Sequence, residues 1–363
     1  MIKINDKSKC NGCGACIVAC PTNAIDYYED EDGVKYPHVN ESLCIRCNKC
    51  NSVCSEQLHN AESIRNISYK EKYYAAQLID KSELMNVSSG GAFWALGKRT
   101  IELNGVVYGA VQENIEEVRH IRATSLDELN KMRRSKYLQS DCVEAFKSVK
   151  NDLIHGKTIL FSGTGCQIAA LKMLYGENEN LITSEVVCHG VPCGIAWKSY
   201  IKELALINNS SIKEVIFRDK SKGWSNNQYK IEFNNNNVDY ESSLENIFHS
   251  RYLQGLMYRP SCGKCVFARI PRVADITLAD FWQYKGKMNE NGDIGISLVI
   301  INSEKGFNLF NEASKYIEME ETDKEAAVNS CRHLTNSPYE DPRRAAFIMD
   351  IKKMGYLNAS KDY

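Results

Sequence analysis

Cys10-Asn-Gly-Cys13-Gly-Ala-Cys16-Ile-Val-Ala-Cys20-Pro21 and Cys44-Ile-Arg-Cys47-Asn-Lys-Cys50-Asn-Ser-Val-Cys54 are the two stretches that decide the first fold unit. Each runs Cys-x2-Cys-x2-Cys-x3-Cys, the spacing of bacterial proteins that hold two [4Fe–4S] clusters. A cubane cluster has four iron corners. A tight loop presents three thiolates to three of them, and the fourth cysteine of each run points to the other cluster. The spacing therefore assigns Cys10, Cys13, Cys16 and Cys54 to one cluster, and Cys44, Cys47, Cys50 and Cys20 to the other. Zinc ribbons use separated Cys-x2-Cys pairs, not two runs of four. Gly12 and Gly14 are expected to let the loop pack against the cluster sulfides. Ser55 stands where a proline would mirror Pro21.

Working outward, the segment between the runs, with Glu29 to Gly33 as an acidic turn, reads as two short extended stretches. Residues 1–60 thus form a ferredoxin-like α+β unit, duplicated in pattern. Residues 61–80 read as a connection. A mixed α/β pattern follows over 81–345, with 346–363 as a C-terminal tail. Gly105–Val111 reads as a buried strand, and the stretch from Cys142 has helical spacing. Thr158–Gly176 reads as strand, glycine turn and helix. EVIFRD, QYKIEF, ADITLADF and ISLVIIN are further strand candidates, helices are expected at Ala196–Leu206 and Lys305–Ile317, and Asn234–Asn237 reads as an exposed turn.

The composition sets limits. A net charge of -1 over 363 residues offers no basic face for nucleic acid. No apolar run approaches the roughly 20 residues that span a bilayer. The opening residues lack the apolar centre of a signal peptide, so the expected location is the cytoplasm. Fifteen cysteines are unlike disulfide usage in that compartment and favour metal or cluster ligation.

Cys166, Cys188, Cys262 and Cys265 form a second group, scattered in sequence. Spacing alone favours a third metal centre over small buried thiols, with zinc at Cys262 and Cys265 as an alternative. Cys193 competes as a ligand, whereas Cys142 and Cys331 read as ordinary thiols.

The order of Ser88-Ser-Gly-Gly91, Ser135-Lys-Tyr-Leu-Gln-Ser140, Gly163-Thr-Gly-Cys-Gln167, Cys188-His-Gly-Val-Pro192, Arg259-Pro-Ser-Cys-Gly-Lys-Cys265 and Asp275-Ile-Thr-Leu-Ala-Asp-Phe-Trp282 resembles the coenzyme F420 hydrogenase/dehydrogenase beta subunit, in the form with a fused ferredoxin domain. The resemblance implies a flavin-binding α/β domain with FAD and its own [4Fe–4S] cluster on Cys166, Cys188, Cys262 and Cys265. It also implies electron traffic between clusters, flavin and a two-electron acceptor. A redox partner protein, ferredoxin-like, and a small-molecule acceptor are the implied partners, and self-assembly is left open. An electron-transfer subunit with its chemistry on a partner is the alternative.

In that frame, Gly90 and Gly91 would bring helix N–H groups to the FAD pyrophosphate. Ser88 and Ser89 would cap the helix or donate to phosphate. Lys136 would neutralise phosphate or polarise the flavin, and Tyr137 would stack on a ring. Ser135, Gln139, Ser140, Thr164 and Asp280 complete the expected cofactor contacts. His189 reads equally as a cluster-tuning or a core histidine. The family's usual proline is replaced by Gly165, implying a looser turn, and its usual glycine by Arg134. Ala279 and Gln283 also stand where glycines are usual, implying a narrower space over the flavin.

Overall fold

The computed structural model describes residues 1–56, 62–65 and 67–363. The expected boundary at residues 60 and 61 falls outside the described residues.

The N-terminal unit is a hairpin carrying two cysteine loops. β1 (Ile25–Glu29) and β2 (Lys35–Val39) pair antiparallel, with Ile25 opposite Val39 and Glu29 opposite Lys35. The turn closes because Asp30 Oδ1 accepts from the N–H groups of Asp32 and Val34, and Gly33 takes a φ of 74°.

This hairpin is not a free module. Its Val34 and Tyr36 are buried among Trp197, Tyr200, Phe217 and Tyr258 of the second unit. The helix Gly194–Ile207 starts against the hairpin tip: Gly194 and Ile195 donate their N–H groups to the carbonyls of Gly33 and Asp32, both at 3.1 Å. A side chain at Gly194 would collide with the Gly33 backbone.

The second unit is built on a mixed sheet of nine strands among the described residues. These are β3 (Lys72–Leu78), β4 (Val106–Gln112), β5 (Val118–Ala123), β6 (Ser140–Asp141), β7 (Ile159–Thr164), β8 (Leu181–Val186), β12 (Ile276–Asp280), β13 (Ser297–Ile301) and β14 (Ile317–Thr322), with β9 (Ile212–Asp219), β10 (Gln228–Phe233) and β11 (Val238–Ser242) forming a separate antiparallel sheet. The large sheet runs β14-β3-β13-β12-β8-β7-β4-β5-β6. Its centre, β12-β8-β7-β4, is parallel.

Buried parallel strands read as continuous apolar runs because both faces are covered. Ile159, Leu160 and Phe161 are all fully buried. Leu160 packs with Trp94 and Phe310 on one face, and Ile159 and Phe161 pack with Phe146 and Ile168 on the other. The helices Ala92–Glu102 and Glu304–Glu312 cover the first face, and Val143–Ile154 and Gly165–Tyr175 the second. Open sheets of this kind bind ligands at the carboxyl ends of their parallel strands. Here those ends are Thr164, Val186 and Asp280.

Three expectations differ from the structure. Residues 61–80 contain β3, a strand paired on both sides by β13 and β14. Its centre, Ala75-Ala76-Gln77, lacks the β-branched residues that mark strands. The helix expected over Lys305–Ile317 stops at Glu312, passes through a 3-10 turn, and Ile317 opens the edge strand β14. The tail at 346–363 is two packed helices, Arg344–Met354 and Tyr356–Ala359, with Phe347 and Tyr356 fully buried.

Candidate functional site

The two ferredoxin cysteine sets lie at different depths. Cys20 shares a small hollow with Cys44, Cys47 and Cys50, and Cys47 is exposed. Ile45 and Leu43 beside it are 64% and 50% exposed, so this set sits at the surface. Burial, then the neighbouring cysteines Cys10 and Cys54 among others, raise the thiols of Cys13 and Cys16, and Cys16 is pushed up to about 12. Backbone N–H groups aim at sulfur in both loops: Ile2 to Cys50 and Ala24 to Cys20, each at 3.2 Å. Such donors favour the negative charge of a cluster.

Cys166, Cys188, Cys262 and Cys265 come together although up to 99 residues separate them. β7 ends at Thr164 and puts Cys166 in the first turn of the following helix. Cys188 follows β8, and Cys262 opens a 3-10 turn that ends at Cys265. Burial, then the neighbouring cysteines, push Cys166 up to about 12 and Cys188 well above its ordinary value. Four half-buried thiols that resist ionisation one beside another need positive charge to become ligands, which iron would supply. The sulfurs are already oriented: Thr164 Oγ1 lies 3.1 Å from Cys166 Sγ, and Gly190 N–H donates to Cys188 Sγ at 3.3 Å. Ser261 Oγ is buried without a hydrogen-bond partner on the wall beside Cys262. The donor set fits a [4Fe–4S] cluster. Cys193 is kept out of it, because it is buried in the aromatic cluster around Trp197. Cys142 is buried against His120, whereas Cys331 reaches the cavity wall.

These four cysteines open onto a cavity of about 730 Å³, within the range of cofactor sites. Its wall includes Ser88, Ser89, Gly91, Ser135, Lys136, Tyr137, Gln139, Ser140, Thr164, His189 and Asp280. It also reaches Asn11, Cys13 and Glu56 of the ferredoxin unit.

The helix Ala92–Glu102 points its N-terminus into this space. No side chain caps it, and Gly91 takes the left-handed conformation there with φ 81°. The expectation that Ser88 or Ser89 caps the helix is corrected. Ser88 Oγ accepts the N–H of Ser135, and Ser89 Oγ donates to the Ile296 carbonyl. Gly90 does not line the cavity; its N–H donates to Ser297 Oγ, and any Cβ there would strike the Ala76 carbonyl. The uncapped turn and its dipole suit an anion.

Lys136 stands in the same wall, with Nζ donating to the Arg133 carbonyl at 2.6 Å. Burial, then the charge of Arg134, bring its pKa down to about 7. Tyr137 is engaged by protein rings, packing against Phe217, His249 and Tyr252. Asp280 is tied by both Nη atoms of Arg218, at 2.6 and 3.1 Å, and by Trp224 Nε1. His189 sits between Tyr252, Tyr258 and His333, and burial holds it down to about 3, so its ring is neutral.

Two of the departures from the family pattern have a structural outcome. Arg134 adopts φ 67°, the left-handed region that the usual glycine occupies freely. Arg134→Gly is expected to stabilise the fold by up to about 1 kcal/mol, read by denaturant unfolding. Gly165 does not loosen its turn. Gln167 Oε1 accepts the N–H of Thr164, and a Cβ on Gly165 would sit 2.9 Å from Glu185 Oε2.

His120 is a cavity residue that the sequence does not mark. Its Nε2 donates to the Ser162 carbonyl at 2.7 Å, leaving Nδ1 to accept from Ser140 Oγ at 2.5 Å. A single His at an ordinary strand position carries no local signal of this. Burial drives its pKa to about 4. The unfolded chain takes up this proton near pH 6.5 while the fold resists it. Stability is therefore expected to fall as pH drops from 6.5 towards 4, by up to about 1.4 kcal/mol per pH unit from this residue. Unfolding curves of the parent and His120→Gln across that range check it, because the variant should lose that part of the slope.

A two-loop cysteine module docked onto a mixed α/β domain with a shared cavity defines an iron–sulfur electron-transfer protein. Residues 9–58 match the 4Fe-4S dicluster domain, and residues 156–325 match the family described as the C terminus of the coenzyme F420 hydrogenase/dehydrogenase beta subunit. Residues 156–325 thus carry the C-terminal region of that beta-subunit family, behind an N-terminal dicluster domain. No curated protein matches the chain. Among solved structures, it is similar to a chain of the F420-reducing [NiFe] hydrogenase complex from Methanosarcina barkeri, at 16% identity and a TM-score of 0.48, over 80% of this chain and 90% of that one. No helix among the described residues is long and apolar enough to cross a membrane.

Proposed function

We propose that this protein is an iron–sulfur flavoprotein oxidoreductase. A ferredoxin-type donor delivers electrons at the exposed Cys44–Cys50 loop. The inner set, Cys10, Cys13, Cys16 and Cys54, would hold one cluster and the set at Cys166, Cys188, Cys262 and Cys265 another, and clusters held there would supply one-electron transfer. The cavity beside that third set holds FAD, and a two-electron acceptor completes the reaction, or the flow runs in reverse. The carrying observation is that one cavity joins the four scattered cysteines to an uncapped helix N-terminus and a half-buried lysine.

When bound, FAD supplies the conversion between one-electron and two-electron chemistry. The chain's own residues do the rest. The first turn after Gly91, together with Lys136, would hold the pyrophosphate. Tyr137, held by its aromatic neighbours, shapes the apolar wall. Ser140 and His120, also on the cavity wall, fix each other.

Anaerobically purified protein, reconstituted with iron, sulfide and FAD, tests this. One releasable flavin and about 12 irons per chain are expected for three clusters. Clusters without flavin would sink the reading and leave an electron-transfer subunit whose substrate chemistry lies on a partner.

A further inference from the structure

Arg259 lies at the junction of the two units, and its side chain is fully buried at 1% exposure. Its Nε donates to the Cys10 carbonyl at 2.8 Å, and its Nη2 donates to the Lys35 carbonyl at 2.9 Å. Nη2 also lies 3.7 Å from Cys10 Sγ, within reach of sulfur. Nη1 donates to Gln139 Oε1 at 2.8 Å, and Gln139 Nε2 in turn donates to the carbonyls of Asn11 and Gly12. The guanidinium lies over the Tyr36 ring, 4.8 Å from its centre.

The backbone of the same residue holds the second unit's cysteine loops. Arg259 N–H donates to the Val191 carbonyl, three residues after Cys188, and the Arg259 carbonyl accepts the N–H of Cys262. One residue therefore grips Cys10 with its side chain and the Cys188 and Cys262 loops with its main chain. Gly12 is shaped to this clamp. It takes φ 68°, and a Cβ there would fall 2.6 Å from Arg259 Nη1 and 2.7 Å from Gln139 Nε2.

We propose that Arg259 is the positioning residue that couples the inner ferredoxin cluster to the third cluster. Its fork fixes the Cys10 loop against the Cys262 loop. Its buried charge beside Cys10 Sγ favours the more negative, reduced form of the inner cluster and so raises that cluster's reduction potential. For each electron passed, the inner site is oxidised by one and the third site reduced by one. No bond is made or broken and no proton moves. The electron is the one supplied by the donor protein proposed above.

This inference rests on reading Cys166, Cys188, Cys262 and Cys265 as a third cluster, and iron content separates the two. A parent protein with about 8 irons per chain overturns that reading, and the role of Arg259 with it; about 12 leaves Arg259 to be decided by its variants. In anaerobic holoprotein, Arg259→Gln is expected to lower one of the two ferredoxin potentials in a spectroscopically monitored redox titration and leave the other in place. Electron arrival at the third cluster should slow by about 10- to 100-fold. Arg259→Lys keeps the charge but not the planar fork, so the potentials should stay near those of the parent while the transfer slows. Arg259→Gln with about 12 irons, unchanged potentials and unchanged transfer overturns the proposal. If Arg259→Gln does not retain its iron, Arg259→Lys decides: parental transfer rates in that variant overturn the proposal, and slowed transfer at parental potentials supports it.

Discussion

Cys262→Ser is expected to reduce the iron content from about 12 to about 8 per chain and to cut electron delivery to the flavin by more than about a hundredfold. A serine hydroxyl is a far poorer iron ligand than a thiolate. Cys193, the alternative ligand by sequence, is fully enclosed in the Trp197 aromatic cluster, away from the cavity. The ferredoxin clusters should survive, since their cysteines lie in separate loops. Cys193→Ser serves as the contrast, with the iron content and electron delivery of the parent. Iron and sulfide analysis with rapid-mixing absorbance reads both variants. Full iron in Cys262→Ser would remove the third cluster from the pathway.

Lys136→Met is expected to weaken FAD binding by roughly 30-fold to several-thousandfold, the range for removing a buried cation from an anion. The fold itself should be unharmed. Burial already holds the Lys136 pKa down to about 7, so its charge costs stability in the free protein, and an apolar methionine relieves that cost. The sign for pH follows. The charged form binds the anion, and the free protein loses that charge as pH rises through 7. FAD affinity in the parent should therefore decline above pH 7, with proton uptake on binding between about pH 7 and the lysine's bound-state pKa. In Lys136→Met that dependence should vanish. Flavin fluorescence quenching across pH 6 to 9 measures both effects, and a parental affinity in the variant would place the flavin elsewhere.

Several features are legible because chemistry forces them into local sequence. The Cys-x2-Cys-x2-Cys-x3-Cys runs are such a case, since a cubane dictates the spacing. So is Thr158–Gly176, where a continuous apolar strand meets a glycine turn and a helix. β3 is hidden because Ala75 and Ala76 carry little strand preference, and only pairing with β13 and β14 makes that segment extended. The edge strand β14 reads as Ile-Glu-Met-Glu-Glu-Thr, and its charges suit an exposed strand as well as a helix.

The site is legible in its residue types and less so in its roles. Ser88, Ser89 and Gly90 read as phosphate contacts, yet Ser89 and Gly90 mainly lock the loop to β13 through Ile296 and Ser297. Gly12 reads as making room for sulfide, whereas it makes room for Arg259 and Gln139. That arginine acts across 249 residues of sequence, and no local pattern shows such a contact. His120 is silent in the sequence for the same reason, because its partners Ser140 and Ser162 come from different strands.

The pathway from surface cysteines to flavin is tested most directly by mixing anaerobic, FAD-loaded protein with a reduced one-electron donor and following cluster and flavin absorbance together. Cluster bleaching should come first, flavin reduction should follow, and Cys262→Ser should retain the first phase and lose the second. Flavin reduced at the parental rate in Cys262→Ser, or clusters reduced beside a flavin that stays oxidised in the parent, would contradict it.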